Sequence, residues 1–119
     1  MNNRILVIDD DLLVLESIAL ILSDFDCEVT TADSGHEGVQ LALANDFDLI
    51  LTDLRMPGCD GSEVVRIVRE KKPQAKILLA TAFAADPLAQ KALESGALDI
   101  MKKPFEVRKI LPYLSKLLT

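Results

Sequence analysis

The chain alternates between short apolar stretches and longer stretches in which apolar residues recur every three or four positions. The short stretches predict five β-strands, at residues 5–8, 27–31, 48–52, 76–80 and 98–101. The longer stretches predict helices between the strands. In the first of them, residues 11–24, one face is expected to carry Leu12, Leu15, Ile18, Ala19 and Leu22.

Residues that favour helix ends stand at the expected boundaries. Ser34 is followed three residues later by Glu37, Asp86 precedes a proline, and Gly96 follows a helical stretch. Asp11 is expected to begin the first helix, because the helix dipole stabilises a negative charge at that end. These signals support the division of the chain into alternating elements.

Regular alternation of strands and helices predicts a parallel sheet that is covered by helices on both faces. The first, third and fourth strands are continuously apolar, as strands buried on both faces should be. The second and fifth alternate with polar residues, which is typical of edge strands. The predicted fold is α/β: a flavodoxin-like, doubly wound, five-stranded parallel sheet in the order 2-1-3-4-5, with five helices.

The composition limits the classes of partner. The 119 residues suit one compact domain, 1–119, with no effector domain in this chain. A formal net charge of −6 argues against direct binding to nucleic acid or to an anionic membrane, since both need clustered Lys and Arg. Cys27 and Cys59 have no neighbours at metal-ligand spacing, and the sequence has neither a secretory signal nor an apolar run of membrane length. Reduced thiols and a cytoplasmic location are therefore expected.

Chemically active side chains follow four of the predicted strands. Asp9 and Asp10 come after the first strand, Asp53 after the third, Thr81 after the fourth and Lys103 after the fifth. The carboxyl ends of parallel strands form the ligand-binding edge of a doubly wound sheet. Carboxylates crowded at that edge need a cation to stay ionised, and Mg²⁺ prefers oxygen ligands. An aspartate beside that ion can attack phosphorus and form an acyl phosphate, while an ammonium and a hydroxyl stabilise the phosphoryl oxygens.

Four motifs, "ILVIDDD", "DLILTDLRMPGCDG", "LLATA" and "DIMKKPF", together resemble the receiver domain of two-component response regulators, over about residues 4–118. The resemblance implies that Asp53 is the phosphoacceptor and that Thr81 and Lys103 contact the phosphoryl group. It implies a sensor histidine kinase or a histidine phosphotransfer domain as the phosphodonor, and phosphorylation-dependent homodimerisation as one form of output. It does not name the downstream effector. It also implies a signalling domain that catalyses only its own phosphorylation and dephosphorylation, rather than an enzyme.

The same resemblance assigns Mg²⁺ as the cofactor. Its ligands would be Asp10 directly, Asp9 mainly through water, Asp53 itself and the backbone carbonyl of Arg55. On the first helix, Leu13 and Leu20 project opposite the core-facing residues; they are either scattered surface residues or a docking surface for the helical hairpin of a histidine kinase.

The chain departs from the receiver pattern at Ile100, where receivers usually carry Tyr or Phe three residues before the lysine. The conformational signal is therefore expected to use a different side-chain movement or to be more weakly coupled. Arg55 and Phe83 flank the path of water to the acceptor and are expected to slow hydrolysis, with Arg55 lying across the phosphoryl oxygens. Pro104 is expected to follow a cis bond, and Pro112 to kink the fifth helix.

Two other functions stay open at this point. The first is a magnesium-dependent phosphohydrolase of the haloacid type, which would need a second aspartate two residues after the nucleophile, where this chain has Arg55. The second is a degenerate receiver that only binds partners, although such a domain would normally have lost the acceptor or the lysine. Labelling with a small-molecule phosphodonor separates these functions. A stable acyl phosphate supports the receiver, free turnover supports the hydrolase, and no reaction supports the binding module.

Overall fold

The computed structural model of the chain describes residues 3–83 and 85–103. Three expectations lie outside these residues: the fifth helix, the bond before Pro104 and the kink at Pro112. Within them, five strands form one sheet: β1 (Asn3–Ile8), β2 (Cys27–Ala32), β3 (Leu49–Asp53), β4 (Ile77–Thr81) and β5 (Asp99–Lys102). The helices that the described residues form are α1 (Leu12–Ser23), α2 (Gly35–Ala44), α3 (Gly61–Lys71) and α4 (Pro87–Glu94).

All neighbouring strands are parallel and lie in the order β2-β1-β3-β4-β5, which confirms the predicted flavodoxin-like topology. The strand boundaries differ from the predicted ones by one or two residues. The continuously apolar strands β1, β3 and β4 are central, and the polar-alternating β2 and β5 are the edges. The order of the strands reverses between β1 and β3, which is where a doubly wound sheet forms its ligand crevice.

The sheet is buried on both faces, because successive residues of its central strands point to opposite sides. Ile5 and Val7 pack with residues of β3, β4 and α1 on one face. Leu6 and Ile8 pack with residues of β3, β4, α2, α3 and α4 on the other face. These two cores hold the central strand ends in fixed positions relative to one another.

The caps form as the sequence predicts. The carboxylate of Asp11 accepts hydrogen bonds from the backbone N–H groups of Leu13 and Val14, at 3.0 and 3.4 Å, so Asp11 is the N-cap of α1. The hydroxyl of Ser34 accepts a bond from the Glu37 N–H at 3.1 Å. Gly96, after α4, has a φ of +112°, a conformation that a residue with a Cβ atom rarely adopts.

One core assignment was wrong. Leu15, Ile18 and Leu22 are buried and Ala19 is partly buried, but Leu12 is 60% exposed. Leu12 is the first residue of α1, which begins beyond the end of β1, so no part of the sheet lies beneath its side chain. Across residues 3–83 and 85–103, the structure has no helix with the length and apolar character that crossing a bilayer requires.

Candidate functional site

The strand register brings three carboxylates together at the carboxyl edge of the sheet. Ile8 pairs with Thr52, so the residues that follow them, Asp9 and Asp53, lie side by side at the ends of β1 and β3. One carboxylate oxygen from each of Asp9, Asp10 and Asp53 lies within 4.8 Å of the others. The sequence prediction that these aspartates form one cluster therefore agrees with the structure.

Lys103 joins this cluster from the far edge of the sheet, 94 residues from Asp9 along the chain. Its Nζ lies 2.9 Å from Oδ2 of Asp9 and 3.1 Å from Oδ1 of Asp53. The side chains of Asp9, Asp53 and Lys103 are only 5%, 13% and 25% exposed, so these charges interact with little screening by water.

Burial and neighbouring charges perturb both titrating groups of this pair. The pKa of Asp53 is raised, first because burial disfavours its charged form and then because Asp9 repels it; Lys103 and the Leu54 N–H act in the opposite direction. Burial alone would lower the pKa of Lys103, but its hydrogen bonds and charge interactions with Asp9 and Asp53 outweigh burial and raise that pKa. The ammonium therefore stays charged, and the carboxylates outnumber it.

The donor set fits Mg²⁺. Oδ1 of Asp9 accepts a bond from the Asp11 N–H at 3.0 Å and its Oδ2 binds Lys103, which suits a contact through water. Oδ1 of Asp53 accepts bonds from the Leu54 N–H and from Lys103. Among the described residues, neither the exposed Asp10 carboxylate nor Oδ2 of Asp53 is engaged in a hydrogen bond. The exposed Asp10 carboxylate and Oδ2 of Asp53 can therefore offer oxygen ligands to a partly hydrated Mg²⁺.

Thr81 lies at the same edge, but its hydroxyl is bonded within its own loop. It accepts a hydrogen bond from the Phe83 N–H at 3.3 Å and lies 3.4 Å from the Phe83 carbonyl. The backbone carbonyl of Thr81 accepts a bond from the Lys103 N–H at 2.7 Å. The structure thus brings Thr81 next to the cluster through its backbone, while its side chain is directed to the loop after β4.

The side chain of Arg55 is directed towards α4 rather than across Asp53. Its Nε and Nη2 donate to the two carboxylate oxygens of Asp86, each at 2.6 Å. The expected position of Arg55 over the phosphoryl oxygens is therefore not the one in this structure. Asp86 was predicted only as a helix cap, and the sequence carries no signal for its pairing with a residue 31 positions away.

Comparisons with known proteins decide the family. Residues 5–115 match the model of the response regulator receiver domain. The chain belongs to this family. It is 39% identical over 108 residues to a response regulator receiver protein of Anaeromyxobacter, and the match covers 91% of this chain and 45% of that protein. The chain spans about half the length of the curated relatives that it matches.

Solved structures of receivers superpose closely on this one. A receiver domain protein from Methanospirillum hungatei is 30% identical, with a TM-score of 0.91 over 98% of this chain and 94% of that chain. The receiver domain of the sensor histidine kinase PA1611 from Pseudomonas aeruginosa is 27% identical, with a TM-score of 0.88 over 99% and 98% of the two chains. That structure has a magnesium ion coordinated in its active site cleft.

In this receiver domain, Ile100 lies in β5 and is partly buried against the core that packs α2, α3 and α4 on the sheet. Phe83 is exposed in the loop after β4. Ile100 thus contributes apolar contacts to this core, whereas the Phe83 side chain does not.

Proposed function

We propose that this receiver accepts a phosphoryl group from a phosphohistidine on Asp53, in a Mg²⁺-dependent reaction, and changes conformation to signal. The contact of Lys103 with both Asp9 and Asp53 carries this proposal. It places a cation against the carboxylate that would attack phosphorus, within a cluster of oxygen ligands suited to the metal.

The chemistry follows from the positions of these groups. A carboxylate oxygen of Asp53 attacks phosphorus, the bond between phosphorus and the histidine nitrogen breaks, and the imidazole leaves. Lys103 stabilises the negative charge on the phosphoryl oxygens, and the Thr81 hydroxyl turns from its loop to do the same. Bound Mg²⁺ would offset the charge of the carboxylates and of the transferred group. Asp10, Asp53 and the Arg55 carbonyl would hold it directly, and Asp9 through water.

The finer assignments belong to the same proposal. The chain is a single receiver domain that works as a signalling switch in the cytoplasm and catalyses only its own phosphorylation and dephosphorylation. Its phosphodonor is a sensor histidine kinase or a histidine phosphotransfer domain. Exposed Leu13 and Leu20 on α1 support docking there, because α1 begins beside Asp9 and Asp10. A dimer formed on phosphorylation is one form of output.

The structure gives no specific support to a phosphohydrolase. That reaction needs a general acid two residues after the nucleophile, and here this position is Arg55, whose guanidinium binds Asp86 and is too weak an acid to release a proton at neutral pH. A binding-only receiver is disfavoured because the acceptor and the lysine are in contact.

Labelling by acetyl phosphate tests the proposal. Wild-type protein in Mg²⁺ should gain one phosphoryl group by intact mass, and Asp53→Asn, which is nearly isosteric, should gain none. Asp10→Ala should lower the affinity for Mg²⁺ and slow labelling. Asp46→Asn, at the other end of the sheet, should label like wild type. Equal labelling of Asp53→Asn and wild type would contradict the assignment, and turnover without a stable adduct would favour the hydrolase.

A further inference from the structure

A bidentate ion pair connects the acceptor loop to the start of α4. Arg55, in the loop after β3, donates from Nε and Nη2 to both carboxylate oxygens of Asp86, each at 2.6 Å. The Arg55 side chain is 65% exposed, but that of Asp86 is only 7% exposed. Asp86 is therefore the fixed member of the pair, and the Arg55 side chain is the member that can move through solvent.

The fixed member, Asp86, is a structural element of α4. Oδ1 of Asp86 accepts a bond from the Leu88 N–H at 3.0 Å, and its backbone carbonyl accepts one from the Ala89 N–H at 2.9 Å. The Asp86 N–H donates to the carbonyl of Phe83 at 3.1 Å. The Asp86 carboxylate thus caps α4 and holds Arg55, while its backbone N–H closes the loop after Thr81. Arg55 and the Leu88 N–H keep the pKa of Asp86 below its usual range, so the pair is charged on both sides.

The mobile member, Arg55, belongs to the acceptor loop. Arg55 follows Asp53 by two residues, yet its Nε and Nη2 both donate to Asp86. The guanidinium is therefore directed away from the acceptor while Asp53 is unmodified. Phosphorylation would add negative charge and acceptor oxygens at Asp53, and the planar fork of Arg binds phosphate as well as it binds carboxylate.

We propose that Asp86 is a positioning residue that holds Arg55 away from the acceptor until Asp53 is phosphorylated. Arg55 then moves to the phosphoryl oxygens, and the start of α4 loses its link to the acceptor loop. This inference rests on the proposed function. It supplies a side-chain movement by which the acceptor can signal to α4 in a chain that has Ile100 in β5.

The competition for Arg55 has a thermodynamic consequence. If Asp86 and the phosphoryl group compete for one guanidinium, removing the Asp86 charge must strengthen the binding of a phosphoryl mimic at Asp53. Removing Arg55 must not strengthen it. If the ion pair only stabilised the fold, removing the Asp86 charge would not strengthen the binding of the mimic.

Beryllofluoride with Mg²⁺ is the probe, and calorimetric titration measures its affinity. Asp86→Asn keeps a good helix cap but removes the charge. It should bind beryllofluoride about fivefold more tightly than wild type, within the usual range of coupling between sites. Arg55→Gln should bind more weakly than wild type, and the double variant should match Arg55→Gln, because Asp86 acts through Arg55. Asp46→Asn is the matched control and should bind like wild type.

A second readout uses the unmodified protein. The NMR signal of the Arg55 Nε–H should shift when beryllofluoride is added to wild type, since its partner changes. Three results would each overturn the proposal that Asp86 holds Arg55 away from Asp53. They are an unchanged Nε–H signal, an unchanged affinity in Asp86→Asn, and tighter binding that persists in the double variant. If wild type neither binds beryllofluoride nor is labelled by acetyl phosphate, the proposed function fails, and the proposed role of Asp86 fails with it.

Discussion

The two ends of the sheet use the same pairing of lysine with aspartate in different surroundings. At the carboxyl end, Lys103 lies 2.9 Å from Asp9 and 3.1 Å from Asp53. At the amino end, before β3 and β4, Lys72 lies 3.1 Å from Asp46. The distances are alike, but Asp46 is fully exposed whereas Asp9 is 5% exposed.

This difference in burial separates an exposed ion pair from a buried cluster of charges. The Lys72 ammonium also donates to the Asn45 carbonyl at 2.6 Å, and water solvates its single carboxylate partner, so the pair is balanced and weak, worth about 0–1 kcal/mol. The Lys103 ammonium faces more carboxylates than it can neutralise, away from water. The excess negative charge there favours a cation, and a contact distance alone would not have distinguished the two ends.

Exchanging each lysine for methionine should give the largest contrast between the ends. Under the proposed function, Lys103→Met removes the cation that would stabilise the phosphoryl oxygens, so labelling by acetyl phosphate should slow about 10²-fold or more. Lys72→Met should label at the wild-type rate. Intact-mass time courses measure both, and similar rates in the two variants would show that burial does not confer the difference.

A smaller contrast is expected along α1, which begins at the carboxyl end and runs towards the amino end. Leu13→Ala together with Leu20→Ala should slow phosphotransfer from the cognate kinase about tenfold, because both exposed side chains would be buried in the complex. Leu13→Ala alone should have the larger effect, since Leu13 lies in the first turn beside the acidic cluster. Labelling by acetyl phosphate is the control; if it falls equally, the variants have damaged the fold and docking is not supported.

The smallest effect concerns stability. Because the pKa of Asp53 is higher in the folded state, the folded state binds its proton more tightly than the unfolded chain does. Stability is therefore lost as the pH rises from about 4 through the raised pKa. Asp53→Asn should then raise the free energy of unfolding at pH 7 without Mg²⁺.

Urea unfolding in chelator, repeated near pH 4, measures this gain, which should shrink in acid and on addition of Mg²⁺. Asp46→Asn is the matched variant at the exposed end and should change stability by about 0.5 kcal/mol or less. A loss of stability in Asp53→Asn at pH 7 would mean that the bonds from Lys103 and Leu54 outweigh burial at this carboxylate.

The sequence predicts which side chains meet at the carboxyl end of the sheet. Apolar runs locate the strands, a parallel sheet brings their carboxyl ends to one edge, and the contact of Lys103 with Asp9 follows although the two are 94 residues apart. Secondary structure and strand order thus suffice to place short side chains at strand ends.

Side-chain direction in loops does not follow from the same reasoning. Arg55 is long and flexible, and its partner is set by where the loop before α4 places Asp86. The Thr81 hydroxyl can turn to its own loop or to the acceptor by rotation about one bond. Leu12 satisfies the helical pattern but lies past the edge of the sheet, which a periodicity of residues cannot show.

The backbone of Gly61, at the start of α3, packs closely against the backbone that follows β3, and this limits where the chain accepts an insertion. A Cβ atom at Gly61 would lie 2.5 Å from the Asp53 carbonyl oxygen, and the Gly61 N–H donates to the Leu54 carbonyl at 2.7 Å. The segment between Leu54 and Gly61 is therefore a closed loop of fixed length, unsuited to insertions. A reporter peptide is better grafted in the exposed turn after Lys72, at the opposite end of the sheet, where it would leave the surroundings of Asp53 undisturbed.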